Sequence, residues 1–110
     1  FEDVCRQFLA RTMASGFTKA GKWWHEDKEI DIVGLNEKTS EILFVECKWK
    51  DNVNPEAILS KLREKAMHVE WRNNRRKEKY CIISKSFSKK ADGCLLFDLR
   101  DIKKLMQEGE

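Results

Sequence analysis

Proline occurs once and glycine five times in 110 residues, too few for a linker-like or disordered chain. No apolar run approaches the roughly 20 residues that a membrane-spanning helix requires, and no signal-peptide hydrophobic region opens the sequence. The four cysteines, Cys5, Cys47, Cys81 and Cys94, are too widely spaced for a CxxC metal knuckle. A disulfide framework is not needed in a chain that is 41% hydrophobic with four Trp and six Phe, so small buried thiols in a reducing cytoplasm are expected. A glycine-rich phosphate loop is also missing, which excludes a P-loop nucleotide site within these residues. What remains is one domain, residues 1–110, of 13.0 kDa, with room for one core and one site. The chain opens at Phe1, without Met and already inside an amphipathic pattern, as a fragment of a longer protein would.

Charge is abundant: 37% of residues are ionised, and 22 Lys+Arg against 19 Asp+Glu leave a net +3. That small total conceals an uneven distribution. Lys61 to Lys90 holds eleven basic and three acidic residues, a net of +8, so the remainder carries −5. A basic block beside an acidic one suits a polyanion binder with a cation site; it also suits a merely polarised surface.

Phe1, Val4, Cys5, Phe8, Leu9, Thr12 and Met13 repeat at helical spacing, and Ser15-Gly16 would end that helix. Phe17 to His25 is aromatic-rich, Glu29 to Leu35 alternates around Ile30, Asp31 and Ile32, and Asn36 to Ser40 is a polar turn. Ile42 to Trp49 is β-rich and free of glycine, as a central strand would be. Pro55 suits the first position of a second helix, whose buried stripe of Ile58, Leu59, Leu62, Ala66 and Val69 extends to about Trp71. A basic loop, Arg72 to Lys79, leads to a strand at Tyr80 to Ser84. A weak strand at Cys94 to Phe97 and a closing helix follow, with Asp98 or Asp101 as its cap and Ile102 and Leu105 inward. This order defines an α/β domain, a central sheet flanked by helices.

One constellation carries chemistry. Glu46 and Lys48 share one face of their strand, because residues two apart point the same way. Val45, Cys47 and Trp49 would fill the other, buried face. If the strands flanking Asn36 to Ser40 pair, Asp31 lies close to Glu46. Unpaired carboxylates in apolar surroundings repel one another and are costly to bury. A hard divalent cation, Mg²⁺ or Mn²⁺, resolves that cost with oxygen ligands and leaves positions for water and phosphate. Lys48 could then hold or help deprotonate the attacking water, or neutralise charge on the transition state. That is metal-assisted phosphodiester hydrolysis.

An acidic residue on the first helix, then Asp31, then Glu46-Cys47-Lys48 resembles the PD-(D/E)xK nuclease superfamily, with its restriction-endonuclease-like fold. More closely, Trp23-Trp24, Glu29-Ile30-Asp31 and Val45-Glu46-Cys47-Lys48-Trp49-Lys50 resemble the C-terminal domain of unknown function carried by archaeal P-loop ATPases. The resemblance runs from Phe1 to about Ser84. It implies a mixed sheet in an αβββαβ core. It also implies metal-side carboxylates at Glu2, Asp31 and Glu46, a catalytic lysine at Lys48, a DNA substrate and the ATPase portion of a parent chain as neighbour. Many such domains pair to cut both strands, which makes a homodimer an expected form. Ile30 stands where the superfamily pattern often carries proline.

Each feature has a plainer reading. Glu46 and Lys48 would be an exposed ion pair if their strand lay at an edge, and the apolar run around them argues against that. A first-turn glutamate such as Glu2 is favoured by the helix dipole regardless of function. Glu29, two residues from Asp31, is a reserve carboxylate. Lys61, Arg63 and Lys65 flank the buried stripe of helix two and read as a solvated face. Arg72, Arg75, Arg76, Lys77 and Lys79 are dense enough for sequence-blind phosphate contacts, or for a loop that aids solubility. Two functions follow: a Mg²⁺- or Mn²⁺-dependent deoxyribonuclease, or a non-catalytic DNA-binding or oligomerisation module of an ATPase. In the first, the Arg72 to Lys79 loop should reach the same DNA backbone as the acidic edge.

Overall fold

The computed structural model describes residues 1–12 and 16–108; Met13 and Ser15, read above as helix end and stop, lie outside them. Among the described residues, three helices flank one five-stranded mixed sheet. In chain order the elements are α1 (Glu2–Thr12), β1 (Lys19–His25), β2 (Lys28–Asn36), β3 (Glu41–Lys48), α2 (Pro55–Ala66), β4 (Lys77–Ser84), β5 (Leu95–Phe97) and α3 (Leu99–Glu108). The strands lie in the order β1-β2-β3-β4-β5. The first three form an antiparallel meander, and β3, β4 and β5 run parallel. Parallel neighbours need a crossover, which α2 supplies between β3 and β4. This arrangement is compatible with the αβββαβ core. Among the described residues, no helix is long and apolar enough to cross a membrane.

β3 is central, and its alternation divides the core into two layers. Leu43 and Val45 join Cys5, Phe8 and Leu9 of α1 and Ile102 of α3. Ile42 and Phe44 join Leu62 and Ala66 of α2. All four of these β3 side chains are buried, so β3 is apolar on both faces, as a strand covered by helices must be.

Local chemistry sets the boundaries. Asn36 accepts from the Lys38 and Thr39 amides and closes the β2–β3 turn. Asn54 caps α2 by accepting from Glu56 N and Ala57 N, with Pro55 at the first helical position. Asp98 and Asp101 cap α3 together. Asp98 accepts from Arg100 N and Asp101 N, and Asp101 accepts from Asp98 N, a reciprocal arrangement of the capping-box kind.

Three expectations need correction. Helix α2 ends at Ala66, not near Trp71. The chain tightens there through His68 N to Lys65 O and Val69 N to Ala66 O. The Arg76 guanidinium then takes the carbonyls of Ala66 (3.0 Å), Val69 (2.6 Å) and Trp71 (3.2 Å), so a side chain ten residues downstream satisfies the helix end. Val69 is still buried, folded back onto the α2 core layer. Strand β4 starts at Lys77, because Lys77 to Lys79 pair with Glu41 to Leu43. Trp49 lies beyond β3 and is 53% exposed, its ring tilted 45° to that of Phe1 at 4.7 Å, with the Lys85 ammonium 4.3 Å from it.

Candidate active site

The site begins at an irregularity in β2. Gly21 pairs with Val33 and Trp23 with Ile30, so Lys22 faces both Asp31 and Ile32. This is a bulge. Its effect is visible in the core: Ile30 packs in the α2 layer and Ile32 in the α1/α3 layer, although two residues apart should share a face. The clean alternation expected around Asp31 is therefore broken at Asp31. The β2–β3 ladder ends there too. Its last pair is Ile32 with Val45, and the Asp31 carboxylate takes the next amide, Cys47 N, at 2.8 Å. The side chain substitutes for the ladder where the strands part.

Carboxylates gather at this opening. Glu2 in the first turn of α1, Glu29 and Asp31 each present a carboxylate oxygen within 4.8 Å of the others. Asp31 is buried while Glu29 is exposed. The Lys22 ammonium lies 3.2 Å from Glu29 and 3.6 Å from Glu2, where it offsets part of their repulsion. Such surface ion pairs are weak and easily exchanged.

Glu46 is 4% exposed and falls on the α2 face of β3, between Phe44 and Lys48. Lys65 of α2 reaches it, with Nζ 3.0 Å from Oε1. Burial pushes the Glu46 carboxyl up to about 7; the neighbouring Asp31 carboxylate adds to the rise and Lys65 opposes it. Lys48 is half-buried at the end of β3, in register with Ser84, and shares the Glu46 face by alternation. Glu2, Asp31, Glu46 and Lys48 thus occupy one end of the β2–β3 pair, with Glu29 among them. Lys65 reads from sequence only as part of a solvated helix face, and Lys22 is not singled out. Nothing in their spacing separates them from other lysines beside a buried stripe or on a polar strand.

The donor set fits a hard divalent cation. All candidate ligands are carboxylate oxygens, which Mg²⁺ and Mn²⁺ accept, and like charges crowd where burial opposes ionisation. The nearby thiol of Cys47 is no competitor. A hydrogen bond with Cys5, reinforced by burial, holds it far above the ordinary thiol range, so it stays a protonated, inert thiol.

The basic segment lies elsewhere. Lys77 is level with Glu41, whereas Ile82 is level with Glu46; five residues of strand separate the two levels by about 16 Å. The Arg72 to Lys79 stretch is therefore at the opposite end of β3 from the carboxylates, contrary to the expectation that it reaches the same backbone. Its cations have local duties. The Arg76 side chain is 5% exposed and pairs with Glu78 at 2.7 Å. Arg72 donates to Glu37 O and Ser40 Oγ and lies over the Trp71 ring at 4.8 Å. Lys79 pairs with Glu41 at 2.6 Å. Arg75 and Lys77 are exposed.

Fold and site together define a mixed α/β domain with a carboxylate cluster where its central antiparallel strands separate. Residues 1–79 match the profile of DUF234, described as "Archaea bacterial proteins of unknown function", and the chain belongs to this family. It is also 35% identical over 117 residues to uncharacterized protein MJECL04 of Methanocaldococcus jannaschii, an alignment covering 92% of this chain and 24% of that protein. The chain thus spans about a quarter of the length of this curated relative. No solved structure matches it at a significant level.

Proposed function

We propose that this chain is a Mg²⁺- or Mn²⁺-dependent nuclease domain of the PD-(D/E)xK type, hydrolysing DNA phosphodiester bonds in the cytoplasm as part of a larger ATPase. The observation that carries this reading is the clustering of Glu2, Glu29 and Asp31 within 4.8 Å, at the strand opening that also holds buried Glu46. The helix dipole and the ladder bond to Cys47 N account for Glu2 and Asp31 singly; the convergence of three carboxylates beside a low-exposure glutamate is what favours a site.

Asp31 and Glu46 would hold the cation, with Glu2 contributing from the α1 side. A bound divalent ion supplies Lewis acidity, lowering the pKa of water and drawing charge from a phosphoryl group. The protein's own groups do the remainder. Cys47 N fixes the Asp31 carboxylate through the 2.8 Å bond. Lys65 holds Glu46 in place and favours its ionised form. Lys48 Nζ would hold the attacking water and offset the negative charge of the phosphoryl oxygens. Lys22 would swing away from Glu2 and Glu29 as a cation replaces its charge.

The test is cleavage of supercoiled plasmid or branched DNA with Mn²⁺. The chain should cut, and Lys48→Ala and Glu46→Ala should each lose at least about a hundredfold in rate. Activity surviving in both variants sinks the assignment. DNA binding in EDTA, with no cleavage under any metal, favours the non-catalytic module instead.

A further inference from the structure

If the Arg72 to Lys79 stretch is at the wrong end of the sheet, something else must meet the polyanion. The C-terminal ends of the parallel strands hold a cleft of ≈ 570 Å³ between the β4–β5 connection and the start of α3. Lys85, Lys89, Lys90, Arg100 and Lys103 line it, against the single carboxylate of Asp98. That carboxylate is already engaged by Arg100 N, Asp101 N and the Arg100 guanidinium. Lys89 pairs with Glu56 at 3.0 Å, both side chains being about half exposed, an arrangement that a phosphate displaces at little cost.

The cleft is tied to the candidate active site through the backbone. Lys50 N bonds to Lys48 O, Lys85 N to Lys50 O and Leu99 N to Lys85 O. Lys48, Lys85 and the start of α3 are therefore held in sequence along one edge. Strand spacing puts β5 about 10 Å from β3. The exposed ring of Trp49 follows the end of β3, with the Lys85 ammonium over it.

We infer that this cationic cleft, lined by Lys85, Lys90, Arg100 and Lys103, is the surface that holds the DNA backbone. The inference rests on the nuclease reading for its partner: cations and candidate catalytic carboxylates on one edge suit a phosphodiester chain crossing both. The cleft makes phosphate contacts, which position a duplex without reading its sequence.

The test is duplex binding in EDTA, where no cleavage intervenes, across a salt series. A Lys85→Glu/Lys90→Glu/Lys103→Glu triple variant should bind at least about tenfold more weakly at low salt, and its slope of log K against log salt should fall by about 2 to 3. An Arg75→Glu/Lys77→Glu variant should stay within about twofold of the parent. Arg75, Lys77, Lys90 and Lys103 are exposed and Lys85 is half-buried; unchanged unfolding midpoints would show that the variants fold. Loss of binding in the Arg75/Lys77 variant with no loss in the triple variant overturns the inference, and Mn²⁺-dependent cutting by the parent chain would then leave the nuclease reading standing. Weakened binding in the triple variant, with no cleavage by the parent under any metal, supports the cleft and overturns the nuclease reading.

Discussion

Arg76→Ala is expected to destabilise the chain by about 3 kcal/mol, although the sequence presents Arg76 as one of several surface cations. Its guanidinium, 5% exposed, bonds to Glu78 and three backbone carbonyls at the end of α2, and it lies over the Phe44 ring at 5.6 Å. Removing it breaks all four of these bonds, although Ala66 O keeps Val69 N and Val69 O keeps Asn73 Nδ2, and it opens space above Phe44, a core residue with no exposed surface. Hydrogen bonds from a charged donor at a low-exposure site each contribute about 1 kcal/mol or more, and the loss of packing on Phe44 adds to that. Arg76→Lys should recover less than half, because one ammonium cannot reproduce a planar fork of donors. Urea unfolding reads both variants. A loss under about 1 kcal/mol for Arg76→Ala would return Arg76 to the surface set.

Glu46→Gln should act in the opposite direction in the absence of metal. The native Glu46 carboxyl titrates at about 7 against an ordinary 4.5, with burial as the main cause. The native state therefore holds its proton more tightly than the unfolded state. By linkage, the favourable contribution is full below about pH 4.5 and is lost as pH rises to about 7, a fall of up to about 3 kcal/mol. Gln carries no charge, so the variant should lack this fall and exceed the parent by about 1–3 kcal/mol at pH 8, less what Lys65 loses as its partner. Mn²⁺ should reverse the order, because a ligand stabilises only the state that binds it. Urea midpoints from pH 4.5 to 8, with and without Mn²⁺, give the comparison. An identical pH profile for parent and variant would mean that Glu46 is not held against ionisation. Stability lost to keep a buried carboxylate is a usual mark of a functional site.

The elements were legible where local pattern decides them. The uninterrupted apolar run of Ile42 to Val45 marked the central strand, and Pro55 marked the start of α2. Glu46 and Lys48 could be assigned to one face from spacing alone. What could not be read depends on partners distant in the chain. The end of α2 is set by Arg76, ten residues beyond Ala66, and composition cannot tell an inward guanidinium from an outward one. The bulge at Asp31 exists only in register with Gly21 and Trp23, so the break in alternation has no sequence signature. Lys65 reaches Glu46 across nineteen residues and read as one of three cations on a solvated helix face. The basic loop failed as a partner for the carboxylates because charge density says nothing about the direction of β4. Its parallel pairing with β3 places Lys77 at the far end.

If the nuclease assignment is right, Asp31 and its neighbouring carboxylates hold one divalent cation. Mn²⁺ titration followed by electron paramagnetic resonance tests it most directly, because bound and free ions are counted separately without any need for turnover. The chain should take up one equivalent of Mn²⁺ near neutral pH, Asp31→Asn should weaken that uptake at least about tenfold, and excess Mg²⁺ should compete for it. Uptake by Asp31→Asn equal to that of the parent, or none by the parent at millimolar Mn²⁺, would show that these carboxylates form no cation site.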